Sequence, residues 1–402
     1  MVLKSHNNTF SLKTLVLLFM FLATLNTVNR YYYFIFIAFF LFLLTYNAKI
    51  IMNGSTASLF VLGLSFMIFA PAYSYSILGM MKTLTYFMCY LMGYGLYEYK
   101  KTNDNGDYKP FYLICSYVIA GSFAHYLLNW FSNFSNFSSR NTVDFWTKTV
   151  IAATGQAPLA CLSLAVSMAC IFMKTNKSIK FISVFVLIAT LGYNLILSGR
   201  TLFVLSLMIF CVAFLHKFMS RKTKKIKLLI KKVIIILAIF LVYINNVFGV
   251  KTAIENSQFY ERFFTSDSAM EIDEDGRMEN KTQYLQNATK YWRGGSNLHE
   301  QFGFAHDILL DTYDEASVFA LIAIICYLMA AIGRLIRCLR TKSTTFEFRQ
   351  VVLCVYTISF IQFMTEPILQ GVQWLFASFC IIDGAVTRVL KDQTENTRET
   401  CV

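Results

Sequence analysis

Charged side chains are scarce in this chain of 402 residues. Asp, Glu, Lys and Arg make up 15% of it, whereas soluble domains carry about 25%. Apolar side chains make up 56%, and the mean hydropathy is +0.52. Because one bilayer-spanning helix takes about 20 residues, the apolar content allows about eleven spans. These proportions exclude a soluble enzyme held by a single membrane anchor.

The patterns of several common site types are also missing. The five His residues include no pair at metal-ligand spacing, and there is no Walker-type phosphate loop. None of the ten Cys residues lies in a candidate external loop, so no disulfide framework is indicated. We therefore expect a metal-independent mechanism without a cofactor.

Long apolar runs separated by charged or turn-forming stretches predict an all-α polytopic membrane protein with about twelve transmembrane helices. Residues 1–249 carry the first nine predicted spans, of which the last is 233–249. Residues 250–315 form one large loop with short helices at 278–292 and 305–315. Residues 316–402 carry three spans, at 316–334, 351–365 and 368–387, and a tail. The helix at 305–315 is amphipathic and is expected to lie on the membrane surface or on the other spans.

The distribution of charge predicts the orientation. A net charge of +13 in a soluble protein would suggest nucleic acid as a partner, but in a polytopic chain Lys and Arg set the topology. With the N-terminus inside, 25 of the 36 Lys and Arg residues fall in cytoplasmic segments and 10 outside. The large loop instead holds 13 of the 23 acidic residues. We predict cytoplasmic termini, one large periplasmic loop and no nucleic-acid partner.

Charges within the predicted spans are few. Lys82 lies about 10 Å from the outer end of its span, where it is either a functional group or snorkels to the surface. Arg334, Arg337 and Arg340 are interpreted as snorkelling residues at a helix end. This scarcity counts against a transporter, as does the off-centre position of the large loop.

A small set of polar residues is expected at the outer surface. Guanidinium groups recognise phosphate bidentately, and His exchanges protons near neutral pH. Each residue alone could serve topology or helix capping. Together they would form an outward-facing site for a pyrophosphate leaving group, and they are Arg140, Arg200, Arg277, His306 and Glu366.

Three segments resemble the O-antigen polymerase and O-antigen ligase superfamily. The segment Leu-Ser-Gly-Arg-Thr at 197–201 resembles a Ser-Gly-x-Arg-Thr motif that has one more residue in many members. The segment 302–310 is similar to a Gly-x-x-His-Asn-x-x-Leu motif, with Asp307 where Asn is frequent. The segments 140–146 and 154–158 are similar to a polymerase-type stretch leading into a span. The resemblance covers most of the chain.

The resemblance implies transfer of a growing polysaccharide from undecaprenyl pyrophosphate to the terminal sugar of another lipid-linked repeat unit. It assigns His306 and Arg200 as the catalytic residues, for activation of the acceptor hydroxyl and stabilisation of the pyrophosphate. Positions in the sequence suggest further substrate-binding residues, with aromatic faces for sugar rings and carboxylates for sugar hydroxyls. They are Arg277, Arg140, Asp307, Trp292, Tyr284, Trp146 and Glu366.

The resemblance also implies a place in the bacterial inner membrane, with the active face toward the periplasm. The expected partners are an undecaprenyl-pyrophosphate-linked oligosaccharide, membrane lipid and a chain-length regulator protein. An O-antigen ligase, which transfers polysaccharide to lipid A-core, is the nearest alternative, and the segment 140–146 favours the polymerase. A flippase or other transporter of lipid-linked oligosaccharide ranks lower, as does a purely structural membrane protein.

Overall fold

The computed structural model of the chain describes residues 6–46, 52–70, 77–98, 108–134, 141–197, 199–220, 252, 277–341 and 343–399. These residues are almost entirely helical. The helices are α1 (His6–Thr24), α2 (Tyr31–Tyr46), α3 (Gly54–Phe69), α4 (Ile77–Glu98), α5 (Lys109–Ser132), α6 (Ala153–Phe172), α7 (Lys177–Ile196), α8 (Arg200–Ser220), α9 (Arg277–Asn287), α10 (Asn297–Phe302), α11 (Ile308–Arg340), α12 (Phe346–Thr365), α13 (Ile368–Gly371) and α14 (Gln373–Glu399).

The chain is a helical membrane protein. Seven of the described helices are long and apolar enough to cross a bilayer, and three more, in the first 69 residues, are shorter apolar helices. Large apolar side chains cover the outer surfaces of α7 and α8, where Phe181, Ile188 and Leu207 are between 64% and 76% exposed. An apolar surface of this extent is stable in lipid rather than in water. Each predicted span coincides with a helix except 233–249, which lies outside the described residues.

Several predicted boundaries were wrong. A two-stranded antiparallel hairpin, β1 (Asn141–Val143) and β2 (Val150–Ala152), precedes α6 where a helix was expected from residue 150. The final long helix begins at Gln373 rather than 368, because residues 366–372 form a turn and the one-turn helix α13. The predicted helix at 278–292 ends at Asn287.

The predicted helix at 305–315 and the span after it form one element, α11, with a kink at Ala316 and Ser317. Ser317 has φ 85°, which interrupts the helical ladder. Residues 318–340 are enough to cross about 30 Å of hydrocarbon at 1.5 Å per residue. Residues 308–315 precede the kink and are not needed to cross the bilayer.

One end of the helix bundle gathers the loops that the sequence analysis assigned to one side. Trp146 donates from its indole N–H to the carbonyl of Leu25 at 3.1 Å, and Tyr31 donates to the side chain of Gln373 at 2.9 Å. Arg277 of α9 donates to the carbonyl of Thr365 at 3.0 Å. We call this end of the bundle the loop face; it comprises residues 25–30, 141–152, 197, 199, 277–307 and 366–372.

The helices α4 and α14 cross at close range in the core. A Cβ atom at Gly93 would lie 1.9 Å from the carbonyl oxygen of Ile381, and one at Gly384 would lie 2.2 Å from that of Tyr90. Small residues let backbones approach closely where lipid supplies no hydrophobic driving force between helices. This crossing sets Asp383, next to Gly384, deep inside the bundle, where it is fully buried.

Asp383 forms an ion pair with Arg334, which corrects the interpretation of that arginine as a snorkelling residue. The Arg334 Nε atom donates to Asp383 at 2.7 Å, and its Nη1 atom donates to Ser55 at 2.7 Å. The hydroxyl of Tyr356 also donates to Asp383. The pair thereby connects α3, α11, α12 and α14. The spans therefore contain buried charge in addition to Lys82, which the sequence analysis had singled out.

Candidate functional site

The helix α9 docks its first turn against the carboxyl end of α12. Arg277 and Lys281 are four residues apart and so lie on one face of α9. Arg277 donates to the carbonyl of Thr365 at 3.0 Å, and Lys281 donates to that of Met364 at 3.2 Å. The last carbonyls of a helix lack intrahelical partners and favour cations. The end of α12 therefore holds two positive charges on the loop face.

Two carboxylates and an imidazole complete this group. Glu366, which directly follows α12 and is 5% exposed, lies 3.8 Å from Arg277 Nη1 through one oxygen and 3.9 Å from His306 Nδ1 through the other. Asp307 lies 3.3 Å from Lys281 Nζ. We call Arg277, Lys281, His306, Asp307 and Glu366 the charge cluster.

The charge cluster contains four of the residues that the sequence analysis selected, which are Arg277, His306, Asp307 and Glu366. Lys281 was missed. Its position one helical turn after Arg277 could have identified it, because that spacing places two cations on the same face of a helix.

The backbone around His306 is tightly held. His306 adopts φ 54°, a left-handed conformation that is uncommon outside glycine but is tolerated by His. Asp311 accepts hydrogen bonds from the N–H groups on either side, of Ala305 at 2.8 Å and Asp307 at 3.0 Å. Asp307 in turn caps α11 by accepting from the Leu309 N–H at 3.0 Å. These bonds fix the position from which the imidazole faces Glu366.

The segment 308–315 carries three carboxylates, Asp311, Asp314 and Glu315, and all three are buried rather than solvated. Asp314 accepts from the N–H groups of Leu298 at 2.8 Å and His299 at 2.9 Å, which caps α10. Glu315 accepts from the Gln370 amide at 2.6 Å. The short helices of the loop therefore cover the carboxylates that a membrane-surface helix would present to water.

The kink of α11 is stabilised by the turn that precedes α10. The N–H of Gly295 donates to the carbonyl of Glu315 at 3.2 Å, and that of Ser296 donates to the carbonyl of Asp314 at 2.9 Å. The N–H of Val318 donates to the carbonyl of Trp292 at 3.0 Å. Backbone groups freed by the kink are thus bonded to the turn, as buried polar groups require.

Gly294 is the position where this arrangement is least tolerant of change. It has φ 78°, and a Cβ atom there would lie 2.6 Å from the Ser317 nitrogen. We expect Gly294→Ala to destabilise the loop by about 1 to 3 kcal/mol, through overpacking and backbone strain. Thermal unfolding in detergent and hydrogen exchange at residues 292–296 measure this. Gly333→Ala is the matched control, since nothing lies within 4 Å of its Cβ position, and equal effects of the two changes would contradict the prediction.

A cavity of about 210 Å³ lies between the turn, α10 and the start of α11. We call it the acidic cavity. Its lining residues are Tyr284, Ser296, His299, Phe304, Asp311, Asp314, Glu315 and Gln370. Tyr284, which was predicted to offer a ring to a sugar, is 1% exposed and donates from its hydroxyl to the carbonyl of Gly303 at 2.8 Å.

Burial raises the pKa of Asp311 to about 7, and the charges of Asp307 and Asp314 add to this effect. Burial likewise raises the pKa of Glu315 to about 7, with contributions from Asp311 and Asp314. Both groups precede the kink, outside the residues that are needed to cross the bilayer. At neutral pH the acidic cavity therefore holds carboxyl groups that readily gain or lose a proton, a property common among functional sites.

These raised pKa values predict a pH dependence of stability. The unfolded carboxyls have pKa values of about 4, so between about pH 4 and 7 the folded loop retains protons that the unfolded chain releases. Stability should accordingly fall as the pH rises through this interval and level off above it. Unfolding temperatures from pH 5 to 8 measure the slope. Glu315→Gln should flatten it, whereas an unchanged slope would contradict the prediction.

Arg200 begins α8 and lies at the same end of the bundle as the charge cluster. The helices α8 and α12 run antiparallel, because Gln350 donates to the carbonyl of Ala213 at 3.0 Å while His216, later in α8, stacks on Phe346, earlier in α12. Arg200 lies 13 residues before Ala213, and Phe363 lies 13 residues after Gln350. Because the helices are antiparallel, both residues lie about 20 Å from the contact, toward the loop face. The structure thus places Arg200 on the loop face, near the level of Glu366.

The hairpin on the loop face is anchored by a buried pair. His125 of α5 donates from Nε2 to Asp144 at 2.8 Å, and Asp144 also accepts from the N–H groups of Trp146 and Thr147. Burial alone would raise the pKa of Asp144, but the bonds from His125 and Thr147 outweigh it and hold the pKa below its usual range. This pair was not predicted, because the two residues are far apart in the sequence.

The remaining predicted residues are not brought into the charge cluster by the contacts described here. Trp146 lies in the loop of the hairpin, and its indole N–H is bonded to the carbonyl of Leu25 after α1. Trp292 is 45% exposed and lies under the guanidinium of Arg293, 5.0 Å from its ring centre. Arg140 lies outside the described residues.

Comparison with known proteins finds no family model that matches this chain and no curated protein similar to it. The assignment of an activity therefore depends on the geometry of the loop face and on the three sequence segments described above.

Proposed function

We propose that the protein is an O-antigen polymerase, a membrane glycosyltransferase that acts on undecaprenyl-pyrophosphate-linked sugars at the periplasmic face of the bacterial inner membrane. The observation that carries the proposal is the convergence of Arg277, Lys281 and His306 beside Glu366 on the loop face. In this proposal the chain has about twelve spans and cytoplasmic termini, as the distribution of Lys and Arg predicts.

The chemistry proceeds by displacement at a sugar carbon. The hydroxyl oxygen of the acceptor sugar forms a bond to the anomeric carbon of the donor as the bond from that carbon to the phosphate oxygen breaks. The pyrophosphate leaves with the electron pair, and the hydroxyl proton passes to His306. Glu366, 3.9 Å from the His306 ring, is placed to orient the imidazole and to stabilise its protonated form.

The cations of the loop face serve the leaving group. Negative charge accumulates on the pyrophosphate as the bond breaks, and fixed guanidinium groups stabilise charge of this kind. Arg200 and Arg277 carry this role in the proposal, and Lys281 adds a third positive charge. Each cation of α9 is held by a backbone carbonyl as well as a carboxylate, so a bound pyrophosphate can take over the ionic contact without undocking α9.

An O-antigen ligase uses the same leaving group with lipid A-core as its acceptor and is the second candidate. A transporter is the third candidate. The scarcity of charge within the spans counted against it, but the buried pair Arg334–Asp383 weakens that argument. That pair is internally satisfied by two side chains of opposite charge, an arrangement that also suits a purely structural role.

Purified protein in vesicles separates these functions. We expect vesicles that present lipid-linked repeat units on the face that the loop occupies to yield long polysaccharide without any transport step. Product that forms only when lipid A-core is supplied would identify a ligase. Movement of lipid-linked units across the bilayer without chain growth would identify a transporter and would contradict the proposal.

A further inference from the structure

We propose that Trp292 inserts its ring into the interfacial region of the bilayer and thereby anchors the turn before α10 to the membrane surface. The partner of the ring is phospholipid, at the level of its phosphate and glycerol groups. This inference depends on the position of Trp292 relative to α11 and not on the proposed function. It gives Trp292 a different partner from the sugar ring that its place in the sequence suggested.

The lipid-facing surface of α11 has a defined beginning. Exposed apolar side chains recur there every three or four residues, as on one face of a helix. They are Phe319, Ile322, Ile325, Met329, Ile332 and Ile336, between 36% and 62% exposed. The rise from the first to the last is about 26 Å at about 1.5 Å per residue, close to the roughly 30 Å of a hydrocarbon core. Because the exposed Arg337 follows at one end, Phe319 marks the level at which the hydrocarbon begins at the other.

A second helix ends at the same level. The last residue of α3 is Phe69, and its ring stacks on that of Phe319 with the centres 6.1 Å apart. Ile68, the residue before it, is 63% exposed and so belongs to the lipid-facing surface of α3. The apolar surfaces of α3 and α11 therefore stop together, and the kink of α11 lies just beyond this boundary.

Trp292 is held at this boundary by its backbone. Its carbonyl accepts from the N–H of Val318, the residue before Phe319, at 3.0 Å. Its side chain is 45% exposed. Trp is enriched at membrane–water interfaces, because its ring is apolar and its indole N–H bonds to polar groups at the lipid surface. An exposed Trp ring at the edge of the hydrocarbon is therefore placed to contact the glycerol and phosphate region.

A cation lies beside this ring in the sequence. Lys290 is exposed, and its Nζ atom lies 4.9 Å from the centre of the Tyr291 ring. Lysines near the ends of spans keep an apolar stem along apolar surface and the ammonium group at the level of the lipid headgroups. Lys290 and Trp292 thus offer the two kinds of group that the interface accommodates, a cation for phosphate and an amphipathic ring for the layer below it.

Paramagnetic relaxation locates the ring. The full-length protein carries fluorotryptophan in phosphatidylcholine nanodiscs, and Trp292→Phe identifies the fluorine resonance of Trp292 among those of the four tryptophans. We expect a spin label near the glycerol end of the acyl chain to broaden this resonance several times more than a label at the methyl end or a water-soluble gadolinium chelate. Trp374, which is 5% exposed, provides the reference for a ring inside the protein.

Two results would overturn the anchor. Broadening mainly by the gadolinium chelate would show that the ring stands in water, as a surface for soluble sugars would. Broadening by the lipid labels no greater than that of Trp374 would show that the ring is away from lipid, as in a contact between two copies of the chain. Neither measurement involves chain growth, so failure of the proposed function would leave the anchor in place.

Two variants test whether the anchor holds the turn. Trp292→Gln removes the ring, whereas Trp292→Tyr keeps an aromatic group suited to the interface. We expect hydrogen exchange at the amides of Gly295 and Ser296, which donate to α11, to rise severalfold in the Gln variant. In the Tyr variant it should stay near that of the wild type. Equal exchange in the two variants would contradict a membrane contact that stabilises the turn.

Discussion

Arg277→Gln should lower the initial rate of chain growth in vesicles by about 10²- to 10³-fold, because removal of one group that stabilises developing negative charge has effects of this size. Lys281 still donates to the carbonyl of Met364 in this variant, so α9 should remain docked on α12. The unfolding temperature of the variant reports on docking, and the rate reports on chemistry. A large loss of rate with an unchanged unfolding temperature is the expected result.

His306→Asn should cause a loss of about 10²- to 10⁴-fold, the range for removal of a general base. Asn tolerates the left-handed backbone of this position but cannot take up the proton. Arg293→Gln is the matched control: Arg293 belongs to the same loop, is exposed, and contacts Trp292 outside the charge cluster. An Arg293 variant as impaired as the Arg277 variant would show that the total charge of the loop matters, and not the cluster.

Asp383→Ala should be the most destabilising single change in the transmembrane core. Breaking a buried ion pair from one side leaves an uncompensated charge and is unfavourable by about 3 to 5 kcal/mol. Here the residue left behind is Arg334, whose side chain is 13% exposed. The yield of monodisperse protein after extraction and its unfolding temperature measure the loss.

The double variant Arg334→Met with Asp383→Leu should regain most of that stability, because a buried pair replaced by apolar residues of similar volume is often neutral or stabilising. Arg337→Met provides the control, since Arg337 lies on the same helix but is exposed. Exposed pairs contribute about 0 to 1 kcal/mol. A double variant that folds well but abolishes activity would assign the pair a role in function, and would favour the transporter.

The helices were predictable because the apolar runs are long and the positions of the breaks are marked by charges. The hairpin at 141–152 was not, because its two three-residue strands are stabilised by contacts distant in sequence, such as that of His125 with Asp144. The continuity of α11 was missed for a related reason. The polar segment 308–315 and the apolar segment that follows it differ in composition, which suggested two separate helices. Backbone hydrogen bonds from the turn at Trp292 to Ser296 stabilise the kink that joins them into one.

The sequence predicted members of the charge cluster by residue type and motif but could not show their distances. Glu366 was selected only because it follows a span, and its place between Arg277 and His306 depends on how α9 packs on α12. The acidic cavity was not predictable, because the spacing of Asp311, Asp314 and Glu315 is equally consistent with a solvated helix face. Their burial depends on coverage by α10, which periodicity along one helix does not reveal.

The central claim is that the charge cluster polymerises lipid-linked repeat units, and electrophoresis of lipopolysaccharide from a strain lacking this gene tests it most directly. The deletion strain, and the same strain carrying His306→Asn, should show core plus a single repeat unit, and the wild-type gene should restore the full ladder. Bare core in the deletion strain would identify a ligase instead. An unchanged ladder in the deletion strain would contradict the account.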